Sequence, residues 1–284
     1  MIVISQNLVL SQLGTVKPNA PRIGYRTIAT FDNITATYEE DIHPATEMTN
    51  VATNLWWRST STEDQYITVV AEGTERVDYI GLANHNFGSA GIAYRVQTSL
   101  DGSDWTDVTS PRIPESDEPI MHLFEEQFNS FYRIFLEPSD TPPRLAVFYI
   151  GKLLSIQRNI YVGHTPITMA RDTSFLGNLS ENGQFLGRVI TSEFLSNAVE
   201  LKNLTPSWYR TNFEPFAQQA RYRPFFFAWR PQSYPREVGY VWAVDNIVPT
   251  NQRPNGMMQV SFKVQGISDF VATASNNSEP VSSS

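Results

Sequence analysis

Residues Tyr79–Trp105, YIGLANHNFGSAGIAYRVQTSLDGSDW, constrain the fold of this chain more than any other stretch. They read as an apolar strand, an Asn/His/Gly loop, an alternating strand, an Asp-Gly turn and a closing tryptophan. Ile92, Tyr94 and Val96 fall on one side while Ala93, Arg95 and Gln97 fall on the other, the period of a half-buried strand. At Asp101-Gly102 the chain turns, because glycine accepts positive φ without a Cβ clash.

The pattern extends in both directions. Downstream come FYRIFLE and LAVFYIGKLL; upstream lie ITAT at Ile34–Thr37, HPATEMTNVATNLWWRS at His43–Ser59 and YITVV at Tyr66–Val70. Together these segments resemble the galactose-binding-like (discoidin-type) β-sandwich, which opens with a short strand, an irregular loop, a buried tryptophan and a second strand. The resemblance covers about residues 22–153. It implies a jelly-roll fold and leaves function open, because such sandwiches serve enzymes, adhesins and viral proteins alike.

Composition narrows the function classes. An apolar fraction of 41% can build a core, and 18 prolines with 15 glycines favour short strands and turns over a helical bundle. Net charge is −8 and the 21 basic residues are scattered, so no phosphate-tracking surface and no nucleic-acid binding is expected. With no cysteine there is no disulfide framework, thiolate metal site or cysteine nucleophile. Met1–Leu10 lacks a basic leader region and no stretch is apolar enough for a helical span, so neither secretion nor membrane insertion is expected. Release by lysis fits instead.

The C-terminal half is also strand-rich. Gln157–Val162, Phe185–Thr191 after the Asn182-Gly183 turn, Phe225–Trp229, Gly239–Val244 and Met258–Ile267 after Asn255-Gly256 all read as strands. One helix is predicted over Ser207–Arg221, with Pro206 at its mouth, Thr205 as N-cap and Pro215 kinking it. The expected organisation is 1–21 as an N-terminal strand and connection belonging to the C-terminal β-domain, 22–153 as the sandwich, 154–270 as the β-domain with a helix near 207–221, and 271–284 as a polar tail ordered by a neighbour.

Candidate sites each admit two readings. Asn84, His85 and Asn86 suit sugar hydroxyls, or they satisfy backbone groups at a strand end. Trp57, beside Trp56, offers a stacking platform for a pyranose ring; neighbours on a strand face opposite ways, so only one of the two lies in the core. Asp101, Asp104 and Asp107 lack the spacing of a calcium loop and read as turn residues. Phe225, Phe227, Trp229, Tyr240 and Trp242 form an aromatic concentration that is either an assembly interface or ordinary core. No metal-ligand spacing, nucleophile elbow or phosphate loop occurs, so no catalytic residue, cofactor or metal is expected.

A handful of strands plus one helix is similar to the tube-like β-barrel domains of bacteriophage tails. With an attached sandwich, the order of elements resembles the distal tail proteins of the tail tip or baseplate. That resemblance implies a mainly all-β structural virion protein, made in the host cytoplasm. It would form a six-fold or three-fold ring between tail tube and hub proteins, with the sandwich displayed outward. The alternative is a carbohydrate-binding module or adhesin whose sandwich loops contact a cell-surface glycan.

Overall fold

Strand Arg144–Gly151 is buried along almost its whole length, and Val77–His85 nearly so. Such runs arise only where a sheet is covered on both faces, and these two strands lie at the centre of the molecule. The computed structural model describes residues 2–4, 18–71, 75–160, 163–253 and 255–267. Among these, mainly strands and one helical segment stack as four layers.

The outermost layer is an antiparallel sheet in the order Ile34–Ala36, Gln65–Val70, Phe131–Leu136, Tyr94–Ser99, Thr106–Asp107. The inner sandwich sheet runs Ile2–Ile4, Ile120–Gln127, Val77–His85, Arg144–Gly151, Trp57–Arg58. The alternation read from sequence sends Ile92, Tyr94 and Val96 into the core between these sheets, with Trp57, Ile134 and Phe148.

A second packing layer joins the sandwich to the C-terminal sheet. Tyr79, Met121, Leu123, Val147 and Tyr149 on the back of the inner sheet meet Phe226, Ala228, Val238 and Tyr240. Three tyrosine hydroxyls finish this layer by donating to backbone carbonyls: Tyr149 to Pro224 (3.1 Å), Tyr240 to Val51 (2.9 Å) and Tyr79 to Arg26. Burial holds the Tyr79 and Tyr240 hydroxyls far above the usual phenol range, so both stay neutral donors.

Gly81 shows how close the two sheets come. A Cβ there would sit 2.5 Å from the Phe226 ring. Gly81→Val is expected to cost about 1–3 kcal/mol through overpacking, read as a lower urea midpoint with an unchanged slope. An unaffected midpoint would mean that the layers are not tightly apposed.

The C-terminal sheet is ordered Leu154–Ser155, Arg22–Gly24, Phe225–Ala228, Val238–Ala243, Met258–Gly266, Phe185–Leu204, Arg171–Leu179, with Pro249–Asn251 also on Met258–Gly266. Among the described residues its first and last strands, Leu154–Ser155 and Arg171–Leu179, each have one neighbour. Arg22–Gly24 and Leu154–Ser155 pair antiparallel. The sandwich is therefore an insertion whose entry and exit strands lie side by side.

The expected place of the N-terminal strand needs correcting. Ile2–Ile4 pairs in parallel with Met121–Leu123 of the sandwich, and Arg22–Gly24 is the first strand of the C-terminal sheet. Three apolar residues satisfy any open edge with the same backbone hydrogen bonds, so composition does not select between edges. The tail 271–284 and most of 1–21 lie outside the described residues.

The fourth layer is helical. Pro206–Trp208 and Glu214–Gln219 are α-helix, joined through a π turn at Tyr209–Phe213. The proline ring at 215 would clash with the carbonyl four residues earlier, at Thr211, and widening the preceding turn relieves that clash. Tyr209, Phe213 and Phe216 pack on Phe225, Phe227, Val260 and Phe262 of the sheet. No helix among the described residues is long and apolar enough to cross a membrane.

Candidate functional site

The loop residues proposed for glycan contact are brought together, and each is already occupied. Asn84 takes φ 51°, a left-handed conformation that asparagine tolerates, and its Nδ2 donates to the Thr53 carbonyl at 2.5 Å. His85 is buried, accepts from the Phe87 N–H at Nδ1 (3.2 Å) and lies 3.1 Å from the Glu118 carbonyl at Nε2. Asn86 donates to Pro142 (3.0 Å) and accepts from the Arg144 N–H (2.8 Å). These contacts tie the loop to its neighbours, the structural member of the two readings.

Trp57 is fully buried, with Nε1 donating to the Tyr38 carbonyl at 3.0 Å. It is not a stacking platform. Trp56 is half-buried, stacked on His43 at 5.0 Å and packed at the edge of the layer between the sandwich and the C-terminal sheet.

The aromatic concentration is likewise closed inside the chain. Phe225, Phe227 and Trp229 face the helical layer, Tyr240 faces the sandwich, and all four are buried, with Trp242 half-buried. Strand Phe225–Ala228 is covered on both faces. Its covers are this chain's own helix and sandwich, so those four residues form no assembly surface. Asp101 directs its carboxylate into the turn, accepting from the Ser103 (2.8 Å) and Asp104 (3.1 Å) N–H groups, which lowers its pKa.

Apolar surface is exposed elsewhere, on the hairpin formed by Arg171–Leu179 and Phe185–Leu195. Its turn uses Gly183 alone at positive φ (77°), with Gly183 N–H donating to the Ser180 carbonyl. The next strand of the sheet, Met258–Gly266, stops opposite Leu195. Beyond that point, among the described residues, Asp172–Leu179 and Phe185–Phe194 form a two-stranded ribbon, roughly 25 Å long at about 3.3 Å per residue.

This ribbon carries Phe175, Leu176, Leu179, Phe185, Leu186, Val189 and Ile190, with exposures between 37% and 69%. Directly paired residues share a face. Phe175 and Ile190 therefore point one way, while Leu176 and Val189 point the other. Arg188 stacks on the Phe175 ring at 4.1 Å. An isolated two-stranded ribbon is marginal in water, and this one shows large apolar groups on both sides. Sequence held a signal for this surface: FLGRVI is apolar at both parities, unlike the alternating strands of a half-buried sheet.

A second surface is the solvent face of the outer sheet. Tyr66, Thr68, Val70, Phe131, Arg133, Phe135, Arg95, Gln97 and Asp107 occupy the outward positions of adjacent strands. Arg95 pairs with Asp107 (3.2 Å) and Glu137 (3.0 Å) and lies over the Phe135 ring at 4.1 Å. Strand alternation alone would have listed this set; its cross-strand partners were not legible.

No family model and no curated relative matches the chain. Solved structures similar to it include chitosan-binding module 1 of a chitosanase/glucanase from Paenibacillus sp. IK-5, at 19% identity and a TM-score of 0.40, covering 45% of this chain and 99% of that one. A Clostridium perfringens carbohydrate-binding module in complex with GalNAc-β-1,3-galactose aligns at 14% identity and TM-score 0.38, covering 42% of this chain and 94% of the module. A pectin-binding module aligns at 10% identity and TM-score 0.37, over 45% and 92%. Each covers less than half of the chain, and none of the three is a tail protein.

Proposed function

We propose that this chain is a non-enzymatic subunit of a larger assembly, joined to copies of itself through the C-terminal hairpin and presenting the sandwich as a contact module. The observation that carries this reading is the projecting ribbon with apolar side chains on both faces. Covering such side chains is worth on the order of 1 kcal/mol each, several kcal/mol for the set. A ring is the economical way to cover a ribbon on every copy, because head-to-tail contacts that close leave no ribbon bare.

The finer assignment is part of the same proposal. Its basis is the resemblance in element order to the distal tail proteins of bacteriophages: a six-fold or three-fold ring at the tail tip, between tube and hub, in the virion. Light scattering at micromolar concentration tests the self-assembly, with a closed oligomer of fixed mass expected. A monomer at every concentration overturns it.

The outer sheet favours a second reading for the sandwich, contact with carbohydrate. Aromatic rings interleaved with hydrogen-bonding side chains on a solvent-facing sheet suit a sugar, which offers both C–H faces and hydroxyls. This moves the expected contact from the Asn84–Asn86 loop, whose polar groups are engaged, to the sheet. Pull-down on immobilised polysaccharides tests it, and failure to retain the protein on any of them counts against it.

A further inference from the structure

Arg133 sits at the centre of the outward face in an uncommon setting. Its guanidinium carbon lies 3.9 Å from the ring centroid of Tyr66 and 3.9 Å from that of Trp105. Both flat faces of the cation are therefore against aromatic rings, and what remains open is its rim. Nε donates to Gln97 Oε1 at 2.6 Å. Gln97 Nε2 in turn donates to Asp107 Oδ1 at 2.5 Å, which fixes the amide with its oxygen toward the arginine.

Both nearby carboxylates belong to another partner. Asp107 and Glu137 are held by Arg95, and among the described residues none reaches salt-bridge distance of Arg133. Burial lowers the Arg133 pKa, the direction expected of a partly desolvated cation. The side chain is only half-buried, so a ligand can reach it.

The donor inventory selects the ligand class. The two terminal nitrogens of a guanidinium only donate, while the neighbouring amide uses its oxygen on Arg133 and one N–H on Asp107. The open group at the centre of this face is a planar, cationic double donor. Its complement is a group that only accepts and can span two parallel N–H bonds, a carboxylate. Beside it, half-buried Phe131 and Trp105 provide apolar surface.

We infer that the outer sheet is a binding site for acidic saccharides, with a uronate carboxylate on the rim of Arg133 and the sugar ring against Trp105 and Phe131. The inference rests on the carbohydrate reading above and specifies its ligand. The two arginines and two carboxylates of this face balance formally, so recognition is local and not driven by a broad positive field.

Calorimetric titration with trigalacturonate, with a neutral galactose trisaccharide and with sodium acetate at matched carboxylate concentration tests it. The expected result is binding of trigalacturonate at least tenfold tighter than of the neutral sugar, with no competition from acetate. Arg133→Gln is expected to lose tenfold or more. Arg133→Lys keeps the charge between the rings but not the fork and falls between the two, which separates loss of recognition from loss of folding. Equal binding of the neutral trisaccharide, or full trigalacturonate binding by Arg133→Gln, overturns the acidic-ligand inference and leaves the carbohydrate reading standing. Competition by acetate reduces the site to a simple anion site, and no binding of either sugar removes both.

Discussion

On the proposed assembly through the hairpin, the double substitution Leu176→Lys with Val189→Glu is expected to shift the protein to monomers while leaving the monomer folded. The two residues are directly paired across the hairpin and are 68% and 63% exposed. In a free chain both stand in water, where surface substitutions stay within about 0.5 kcal/mol. Opposite charges facing each other across a ribbon even contribute slightly to pairing. Under a neighbouring subunit the same charges must be desolvated, at a cost of several kcal/mol per contact. Each 1.4 kcal/mol is about tenfold in dissociation constant, so a shift of at least a hundredfold is expected. The matching pair on the other face, Phe175→Glu with Ile190→Lys, reports which side is covered. Light scattering with a thermal melt reads both effects, and an unchanged mass for both variants would falsify the hairpin as the joint.

The second large effect concerns acid. Burial is the leading cause that lowers the pKa of His85 to about 4 and of His122 to about 3, against an ordinary value near 6.5. Below pH 6.5 the unfolded chain takes up these protons while the folded chain does not. Stability therefore falls as pH drops from 6.5 toward 4 for His85 and toward 3 for His122, by about 1 kcal/mol per pH unit for each. Asp78 opposes this, since burial raises its pKa and the folded form gains as its carboxyl protonates. Urea midpoints at pH 7, 5 and 4 are expected to decline steadily. His122 packs edge-on to Tyr94 at 5.7 Å and its Nδ1 has no partner among the described residues, so His122→Phe keeps the packing and removes about half of the slope. A flat profile between pH 6.5 and 4 would contradict the buried, neutral state of both rings.

Much of the scaffold is legible in the residue pattern because strand alternation is a local property. Ile92, Tyr94 and Val96 enter the sandwich core as their spacing requires. Pro206 and Pro215 announce the start and the irregularity of the helical segment. The unbroken aromatic run Phe225–Trp229 marks a strand that needs covering, but pattern carries no information on whether the cover is the same molecule or another. Here Phe226 meets the sandwich and Phe225 meets the helix, so Phe225, Phe227, Trp229 and Tyr240 are intramolecular core, the second of the two readings. The Asn84–Asn86 loop had the right chemistry for a sugar, and only coordinates reveal that Thr53, Pro142 and Arg144 engage its amides. The hairpin turn was visible at Asn182-Gly183. Its projection was not, because that depends on where a strand more than sixty residues later stops, opposite Leu195.

Side-by-side entry and exit of the inserted sandwich imposes an order on synthesis. Arg22–Gly24 leaves the ribosome early, yet its partner Leu154–Ser155 follows only after the whole sandwich has been made. Phe225–Ala228, on its other side, comes later still. The two ends of the sandwich thus meet at Arg22–Ile23 and Leu154–Ser155, and the strand that flanks them, Phe225–Ala228, is the last of the three to be made.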